Sequence, residues 1–227
     1  MTIGYEINDL AKEESWRIFR FIGELVEGFD KLSGVEPAVT IYGSARIKPG
    51  DELYEQTAAI ARRLGELGFS IITGGGPGVM EAANKGAKEA GVISAGLNIQ
   101  LPGEQSPNPY STKSITFNHF FIRKVMLVKY AIAFIIMPGG LGTLDELTEV
   151  LTLMQTHKIR PFPVVLFNSQ FWEGFLSWLR NIVLPRGFIS EEDFKYLCVS
   201  DDPGEVVEMV QKWYIKQETV GRRALRR

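Results

Sequence analysis

Continuous apolar runs alternate along the chain with stretches in which apolar residues recur every three or four positions. The continuous runs predict buried strands at 38–42, 69–73, 92–97, 114–117, 131–137 and 163–167. The periodic stretches predict helices at 14–32, 53–67, 79–90, 120–130, 143–157, 171–183 and 203–217. Strands and helices that alternate in this way predict an α/β protein with a doubly wound parallel sheet and helices on both faces.

The pattern contains no linker and no internal repeat, so we expect a single domain over residues 1–227. The first predicted helix precedes the first strand and makes residues 1–35 a helical extension, suited to covering the sheet or to an oligomer interface. At the other end, residues 218–227 are predicted to form a flexible basic tail, because chain termini fray unless they are packed down. The arginines of this tail are Arg222, Arg223, Arg226 and Arg227.

Composition narrows the function classes. The hydrophobic content of 45% and the charged content of 23% are those of a soluble globular protein. The net charge of −2 does not signal a nucleic-acid partner, and no apolar stretch is long enough to span a membrane. The single cysteine, Cys198, is predicted to be a small buried residue, and the two histidines lack the spacing of a metal site. The N-terminus does not resemble a signal peptide, so we expect a cytoplasmic location.

Glycine-rich turns follow the ends of three predicted strands. They contain Gly43-Ser44, then 74–78 with Gly75, then 139–143 with Gly139, Gly140 and Gly142. In a doubly wound sheet these strand ends share one edge, where free N–H groups at helix N-termini bind anions. Three such turns on one edge favour an anion site over turns that need glycine only for their backbone. The GxxxxGK[ST] and GxGxxG patterns are absent, which argues against an ATPase and a standard dinucleotide binder.

Polar and charged residues accompany these turns. Thr143, near the start of its helix, is suited either to capping that helix or to binding a phosphate oxygen. Glu146 suits a helix N-terminus electrostatically, but a carboxylate repels phosphate and would serve another part of the ligand. Arg123 and Lys124 lie in an apolar helix, either as a solvated edge or with the arginine reaching over the sheet edge. Glu104 lies in a long loop that is either simply solvated or a lid.

Residues 138–146 (PGGLGTLDE) resemble the PGGxGTxxE signature of the LOG family, cytokinin riboside 5′-monophosphate phosphoribohydrolases long labelled lysine decarboxylases. Gly43-Ser44, residues 74–80 and the pair Arg123-Lys124 match further family elements, and the resemblance covers roughly residues 39–210. The longer bacterial branch of the family is a closer match than the short plant members. The resemblance implies a Rossmann-like fold and hydrolysis of the N-glycosidic bond of AMP or N6-substituted AMP. The implied products are free base and ribose 5-phosphate, and no metal or organic cofactor is implied.

The resemblance also implies roles for individual residues. Arg123 and Glu146 match the catalytic pair of the family, and Lys124 matches the residue beside the catalytic arginine. The residues expected to bind substrate or phosphate are Gly43, Ser44, Gly75, Glu104, Lys124, Gly139, Gly140, Gly142, Thr143 and Thr152. Family members are homodimers or larger homo-oligomers with the active site near the subunit interface.

Three functions compete at this stage. The first is a nucleotide phosphoribohydrolase, an enzyme. The second is a non-catalytic nucleotide-binding or sensor module of the same fold, which would keep the glycine turns without needing Arg123 and Glu146; the presence of both favours the enzyme. The third is a lysine decarboxylase, which would need a Schiff-base lysine and cofactor partners that no segment identifies. The sequence leaves open the preferred base, the size of the oligomer, hormone production versus nucleotide salvage, and the group that protonates the leaving base.

Overall fold

The computed structural model describes residues 16–101 and 106–224. Its strands are β1 (Ala38–Tyr42), β2 (Ser70–Thr73), β3 (Ser94–Ile99), β4 (Lys113–Phe117), β5 (Ala131–Ile136), β6 (Val164–Phe167) and β7 (Leu197–Ser200). Its α-helices are α1 (Trp16–Lys31), α2 (Glu52–Glu66), α3 (Val79–Glu89), α4 (Phe120–Lys129), α5 (Leu141–Gln155), α6 (Ser169–Trp178) and α7 (Pro203–Ala224). Short π and 3₁₀ turns lie between α6 and β7. The predicted alternation of strands and helices is confirmed.

The strands form one parallel sheet in the order β4-β3-β2-β1-β5-β6-β7. From β1 the chain runs outward to one edge through β2, β3 and β4, and from β5 it runs outward to the other edge. The neighbours β1 and β5 therefore mark the switch point of the sheet. In sheets of this kind a crevice opens there, outside the carboxyl ends of the strands. The predicted Rossmann-like α/β fold is confirmed.

Alternate side chains of the central strands enter two hydrophobic cores, one on each face of the sheet. Val39 and Ile41 pack with α2, α3 and α7, whereas Tyr42 and Phe134 pack on the other face with α4, α5 and α6. Because both faces are buried, the strands are continuous apolar runs in the sequence. The polar exception in β1, Thr40, is satisfied because its hydroxyl donates to a backbone carbonyl of α4 at 2.8 Å.

Helix α1 packs on α4. The Phe21 ring meets the His119 ring edge-on with 4.6 Å between their centroids. Gly28 lies so close to Met126 that a Cβ would approach its side chain within 2.8 Å. Another face of α1 is apolar and exposed. It carries Ile18, Phe19, Ile22, Val26 and Phe29.

Two regions differ from the sequence prediction. Residues 197–200 form the edge strand β7, and Cys198 on this strand is only partly buried because one side of an edge strand lacks a neighbour. Burial nevertheless raises the pKa of the Cys198 thiol, which disfavours the nucleophilic thiolate. Residues 218–224, part of the predicted basic tail, continue helix α7, and the flexibility of the tail stays a prediction.

The remaining predictions about chain organisation concern residues outside the described ranges. Residues 1–15, 102–105 and 225–227 lie outside them, and Glu104 is among these. The single-domain assignment over 1–227 therefore remains a prediction. Among the described residues, no helix combines the length and the apolar character needed to cross a membrane.

Candidate active site

A cleft of about 760 Å³ opens at the carboxyl ends of β1 and β5, at the switch point of the sheet. The turns after β1, β2 and β5 form its walls together with α4 and the start of α5. The lining residues are Tyr42, Gly43, Ser44, Ala45, Arg46, Gly74, Met80, Phe120, Arg123, Gly140, Leu141, Gly142, Thr143, Asp145 and Glu146. The structure therefore brings into one place both members of the predicted catalytic pair and five of the ten predicted substrate- or phosphate-binding residues, Gly43, Ser44, Gly140, Gly142 and Thr143.

The turn after β1 lies between the turns after β2 and β5 and is hydrogen-bonded to both. Gly43 leaves no room for a side chain, because a Cβ would lie 2.7 Å from Val79 and 2.9 Å from Met137. The Ser44 N–H donates to the Pro138 carbonyl at 3.0 Å, and the Ser44 carbonyl accepts from the Val79 N–H at 2.9 Å. The backbone of this turn thus joins the turns after β2 and β5 and fixes one wall of the cleft.

The glycines of the turn after β5 are there for different reasons. Gly139 packs against the Thr143 side chain and the Ser44 backbone, so folding itself requires a glycine at that position. At Gly140 and Gly142 a Cβ would meet nothing within 4 Å, and neither residue has a positive φ. Folding does not require glycine at these two positions, and the open space beside them belongs to the cleft.

Helix α5 begins directly after this turn, and no side chain caps it. The Thr143 N–H donates to the Gly140 carbonyl at 3.0 Å, so the N–H groups of Leu141 and Gly142 are the ones without a partner within the helix and are available to an anion. Thr143 is buried beside Gly139 and does not cap the helix, which removes one of its two predicted roles. The second role, contact with a phosphate oxygen, remains.

Arg123 reaches from α4 over the edge of the sheet into the cleft. Its Nε donates to the Leu97 carbonyl at 2.7 Å, and its guanidinium lies where a side chain on Gly74 would otherwise point. Burial lowers the pKa of Arg123, an effect that the neighbouring Glu146 and Tyr42 oppose. The sequence allowed two interpretations of Arg123, and in the structure the arginine reaches over the sheet edge rather than lying on a solvated edge.

Glu146 faces Arg123 from the start of α5. Its Oε1 lies 3.8 Å from Arg123 Nη1, too far for a hydrogen bond, and its Oε2 is buried without a hydrogen-bond partner among the described residues. Burial raises the pKa of Glu146 to about 7, although Arg123 and Lys124 act to lower it. The carboxyl group is therefore present in both protonation states near neutral pH, which suits a group that exchanges a proton during a reaction.

Lys124 lies outside the cleft and joins α4 to α5. Its Nζ lies 2.7 Å from the Asp145 carboxylate and 3.3 Å from that of Glu149. Burial acts against the charge, but the hydrogen bond to Asp145 and the fields of Glu149 and Glu146 outweigh it and raise the pKa of Lys124. We therefore interpret Lys124 as a residue that orients α5 by holding carboxylates on both sides of Glu146, rather than as a direct phosphate ligand.

Two further predicted site residues also lie away from the cleft. Gly75 is buried with a φ of +75°, and its carbonyl accepts from Asn108 Nδ2 at 3.0 Å, so the fold alone accounts for this glycine. Thr152 is exposed on α5, where its hydroxyl donates to the Thr148 carbonyl at 2.7 Å. Because a helix rises about 1.5 Å per residue, Thr152 lies about 9 Å further along α5 than Glu146, away from the cleft.

Sequence reasoning missed two polar residues that line the cleft, Tyr42 and Arg46. They lie on either side of the Gly43-Ser44 turn. Their position at the end of a strand beside a glycine turn could have identified them as candidate site residues in the sequence. The Arg46 side chain is exposed, and its backbone N–H donates to Ser44 Oγ at 3.1 Å. Within the described part of the chain, Arg46 forms no ion pair.

Comparison with known proteins gives one family match and several relatives. A family model described as "Possible lysine decarboxylase" matches residues 80–210. The cytokinin riboside 5′-monophosphate phosphoribohydrolase LOG of Oryza sativa subsp. japonica is 31% identical over 186 residues, which cover 79% of this chain and 74% of that protein. The pyrimidine/purine nucleotide 5′-monophosphate nucleosidase of Escherichia coli (strain K12) is 27% identical over 186 residues, 77% of this chain and 40% of that protein.

The fold is also shared with solved structures. The molybdenum cofactor binding protein of Rippkaea orientalis matches with a TM-score of 0.60 and 21% identity, over 79% of this chain and 98% of that one. At this level of identity the match establishes the fold. The family model covers more than half of the chain, and the Oryza sativa relative exceeds 30% identity over most of it. The chain therefore belongs to the LOG family.

Proposed function

We propose that this chain hydrolyses the N-glycosidic bond of a nucleoside 5′-monophosphate, either AMP or an N6-substituted AMP such as a cytokinin nucleotide, to free base and ribose 5-phosphate. The observation that carries the proposal is the pair of partly buried Arg123 and buried Glu146, 3.8 Å apart, beside an open glycine turn at a helix N-terminus. The names of the two curated relatives describe cleavage of nucleotide 5′-monophosphates, in agreement with this arrangement.

The 5′-phosphate would bind at the start of α5. The open space beside Gly140 and Gly142 admits a ligand close to the backbone, and the uncapped N–H groups and the helix dipole favour an anion there. Asp145 and Glu146, however, bring negative charge to the same cleft. A phosphate dianion therefore needs a cation in the cleft that is not already engaged.

Arg46 is suited to be that cation. Arg123 donates to the Leu97 carbonyl and faces Glu146, whereas Arg46 lines the cleft and is exposed. A guanidinium group binds phosphate through parallel hydrogen bonds, which fixes the position of the phosphate as well as its charge. We therefore propose that Arg46 binds the 5′-phosphate and that Arg123 acts at the reacting end of the nucleotide, where the base departs.

Arg46→Gln is expected to raise the KM for AMP at least about tenfold and to leave kcat within about threefold. The reason is that a phosphate far from the breaking bond is bound equally in the ground state and the transition state. Initial rates measured against AMP concentration separate the two constants. Arg62→Gln, at an exposed position of α2 beside Glu66, is the matched control and should behave as the wild type. An unchanged KM in Arg46→Gln would contradict the assignment.

The chemistry at the other end of the nucleotide follows from the Arg123–Glu146 pair. Cleavage of the C1′–N bond develops positive charge on the sugar and negative charge on the departing base. Ionised Glu146 would stabilise the first charge and take a proton from the attacking water, while Arg123 would offset the second charge. Overall, water supplies a hydroxyl group to C1′ and a proton to the base.

Apolar side chains form the wall on which the base would lie. Phe120 and Leu141 line the cleft and are 44% and 85% exposed, and Met80 lies with them. Contact with the face of a base, rather than with its edge, tolerates a substituent on N6. The lining residues in the described part of the chain include no lysine, so a decarboxylase that forms a Schiff base would lack its nucleophile there.

Base release tests the proposal. Purified protein is incubated with AMP, N6-isopentenyl-AMP or adenosine, and free base and ribose 5-phosphate are quantified by chromatography. We expect release from both monophosphates and at least about tenfold slower release from adenosine, which lacks the group bound by Arg46 and α5. Binding of AMP without release from any substrate would instead support a nucleotide-binding module.

We also infer that the chain forms a homodimer or a larger homo-oligomer. The exposed apolar face of α1 continues onto α4, where Phe121 and Val125 are 50% and 46% exposed. Soluble monomers seldom expose contiguous apolar patches of more than a few hundred Å². Val26→Glu, in the middle of the α1 face, is expected to reduce the molar mass measured by light scattering; an unchanged mass would exclude this face as the interface. The location in the cytoplasm remains a prediction from the sequence.

A further inference from the structure

Two buried polar atoms in the wall of the cleft have no hydrogen-bond partner among the described residues, the Tyr42 hydroxyl and Glu146 Oε2. An unpartnered buried polar atom destabilises the folded state, so each such atom in a folded protein calls for an explanation. Glu149 Oε2 also lacks a hydrogen bond, but it lies 3.3 Å from the Lys124 ammonium group, which compensates its charge. The Arg123 guanidinium lies 3.8 Å from the other oxygen of Glu146, Oε1, and leaves Oε2 without a hydrogen bond, and the Tyr42 hydroxyl in the same cleft also has none among the described residues.

The Tyr42 hydroxyl is held in place by its ring. Tyr42 ends β1 and is 5% exposed, and its ring stacks on Phe134 with 5.7 Å between the centroids and 8° between the planes. The ring therefore cannot swing out to give the hydroxyl access to bulk water. Burial, followed by the field of Glu146, raises the pKa of Tyr42 well above its usual value, so the hydroxyl keeps its proton.

The chemistry of the two atoms specifies the group that would satisfy both. An ionised carboxylate oxygen only accepts hydrogen bonds, whereas a phenol hydroxyl can donate one. A ligand group that donates to Glu146 and accepts from Tyr42 satisfies both atoms at once, and an alcohol hydroxyl does this. In the proposed substrate, the hydroxyl on the carbon next to C1′, where Glu146 acts, is the 2′-hydroxyl. Hydrogen bonds to this hydroxyl strengthen in the transition state of glycoside cleavage.

We propose that Tyr42 and Glu146 together bind the 2′-hydroxyl of the substrate, and that Tyr42 thereby selects ribonucleotides over 2′-deoxyribonucleotides. This inference rests on the proposed function, because it takes the reacting carbon to lie beside Glu146. It assigns to Tyr42 a hydrogen bond that forms only when the nucleotide is bound.

The proposal is tested by a double-mutant cycle in which the Tyr42 hydroxyl and the 2′-hydroxyl of the substrate are removed separately and together. Wild type and Tyr42→Phe are each assayed with AMP and with 2′-deoxy-AMP. Tyr42→Phe keeps the stacked ring and removes one oxygen atom. We expect kcat/KM for AMP to fall about tenfold, as for the loss of one hydrogen bond worth about 1.4 kcal/mol, and kcat/KM for 2′-deoxy-AMP to stay within about twofold.

Tyr54→Phe is the matched control. Tyr54 is a buried tyrosine outside the cleft, and its hydroxyl donates to Glu81 at 3.0 Å. Its substitution should lower the melting temperature and leave the preference for AMP over 2′-deoxy-AMP unchanged. Tyr42→Phe should show the reverse, a lost preference with no fall in melting temperature, because it removes a hydroxyl that has no partner in the folded protein.

The outcomes separate the inference from the proposed function. An equal loss of kcat/KM on both substrates would overturn the inference, because Tyr42 would then act on water or on Glu146 itself. Unchanged kcat/KM for both substrates would also overturn it. If the wild type releases no base from AMP, the proposed function fails, and the inference is judged by calorimetric affinities for the two nucleotides. A preference for AMP that disappears in Tyr42→Phe would support it, and equal affinities or no binding would overturn it.

Discussion

Glu146→Gln is expected to slow base release from AMP by about 10²–10⁴-fold, with AMP binding largely retained. Glutamine matches glutamate in size, but it neither takes a proton from water nor carries the negative charge that stabilises the developing sugar cation. Because the phosphate and the base are bound elsewhere in the cleft, the loss should fall on kcat. The chromatographic assay gives kcat, and calorimetry gives the Kd for AMP.

Glu81→Gln is the matched control for this experiment. Glu81 is a partly buried carboxylate on α3 that accepts a hydrogen bond from Tyr54, and it does not line the cleft. This variant should release base at the rate of the wild type. Turnover by Glu146→Gln within about threefold of the wild-type rate would show that Glu146 is not the catalytic carboxylate.

The same substitution is expected to stabilise the protein at neutral and alkaline pH. The pKa of Glu146 rises from its usual 4.5 to about 7 in the folded protein, and each unit corresponds to about 1.4 kcal/mol. A raised carboxyl pKa means that between these two values the folded state binds more protons than the unfolded state. The stability of the wild type should therefore fall by up to about 3 kcal/mol as pH rises through this window.

Glu146→Gln should escape this loss, because glutamine imitates the protonated carboxyl group at every pH. The two free energies of unfolding, measured by urea titration, should differ little at pH 4.5, and the variant should become the more stable protein as pH rises to 8. A difference that does not change with pH would contradict a buried, raised carboxyl group. We therefore expect the Glu146→Gln variant to be more stable than the wild type and almost inactive. This combination is typical of a catalytic residue whose chemistry is retained although it lowers stability.

Much of the local structure of the site could be predicted from the sequence. A continuous apolar run followed by glycines and then by a helical period defines a strand, a tight turn and a helix N-terminus, all within about twenty residues. The N–H groups that would bind phosphate at the start of α5 follow from that order alone. The resemblance of residues 138–146 to a family signature added Glu146, and the pair at 123 and 124 added the arginine.

Sequence alone could not show which of these residues meet. Arg123 and Lys124 are adjacent in the chain, yet one reaches the cleft and the other pairs with Asp145 and Glu149, because α4 presents them to different neighbours. Gly75 and Gly140 appeared equivalent as turn glycines, but the first is required by its positive φ and the second is not. These distinctions depend on the atoms that surround each residue.

By itself, then, the sequence determined the order of most strands and helices and the glycine turns, because hydrophobic periodicity and turn chemistry act over a few neighbouring positions. The choice of Arg123 and Glu146 as the reactive pair came from the resemblance to a family signature and stays a prediction. Only the tertiary structure decided that β1 lies beside β5, so that Tyr42 and Arg46 share a cleft with Glu146 some hundred residues away. It also decided that Glu146 is buried and its pKa raised. Burial and electrostatic fields arise from groups that are distant in the chain, and no local pattern records them.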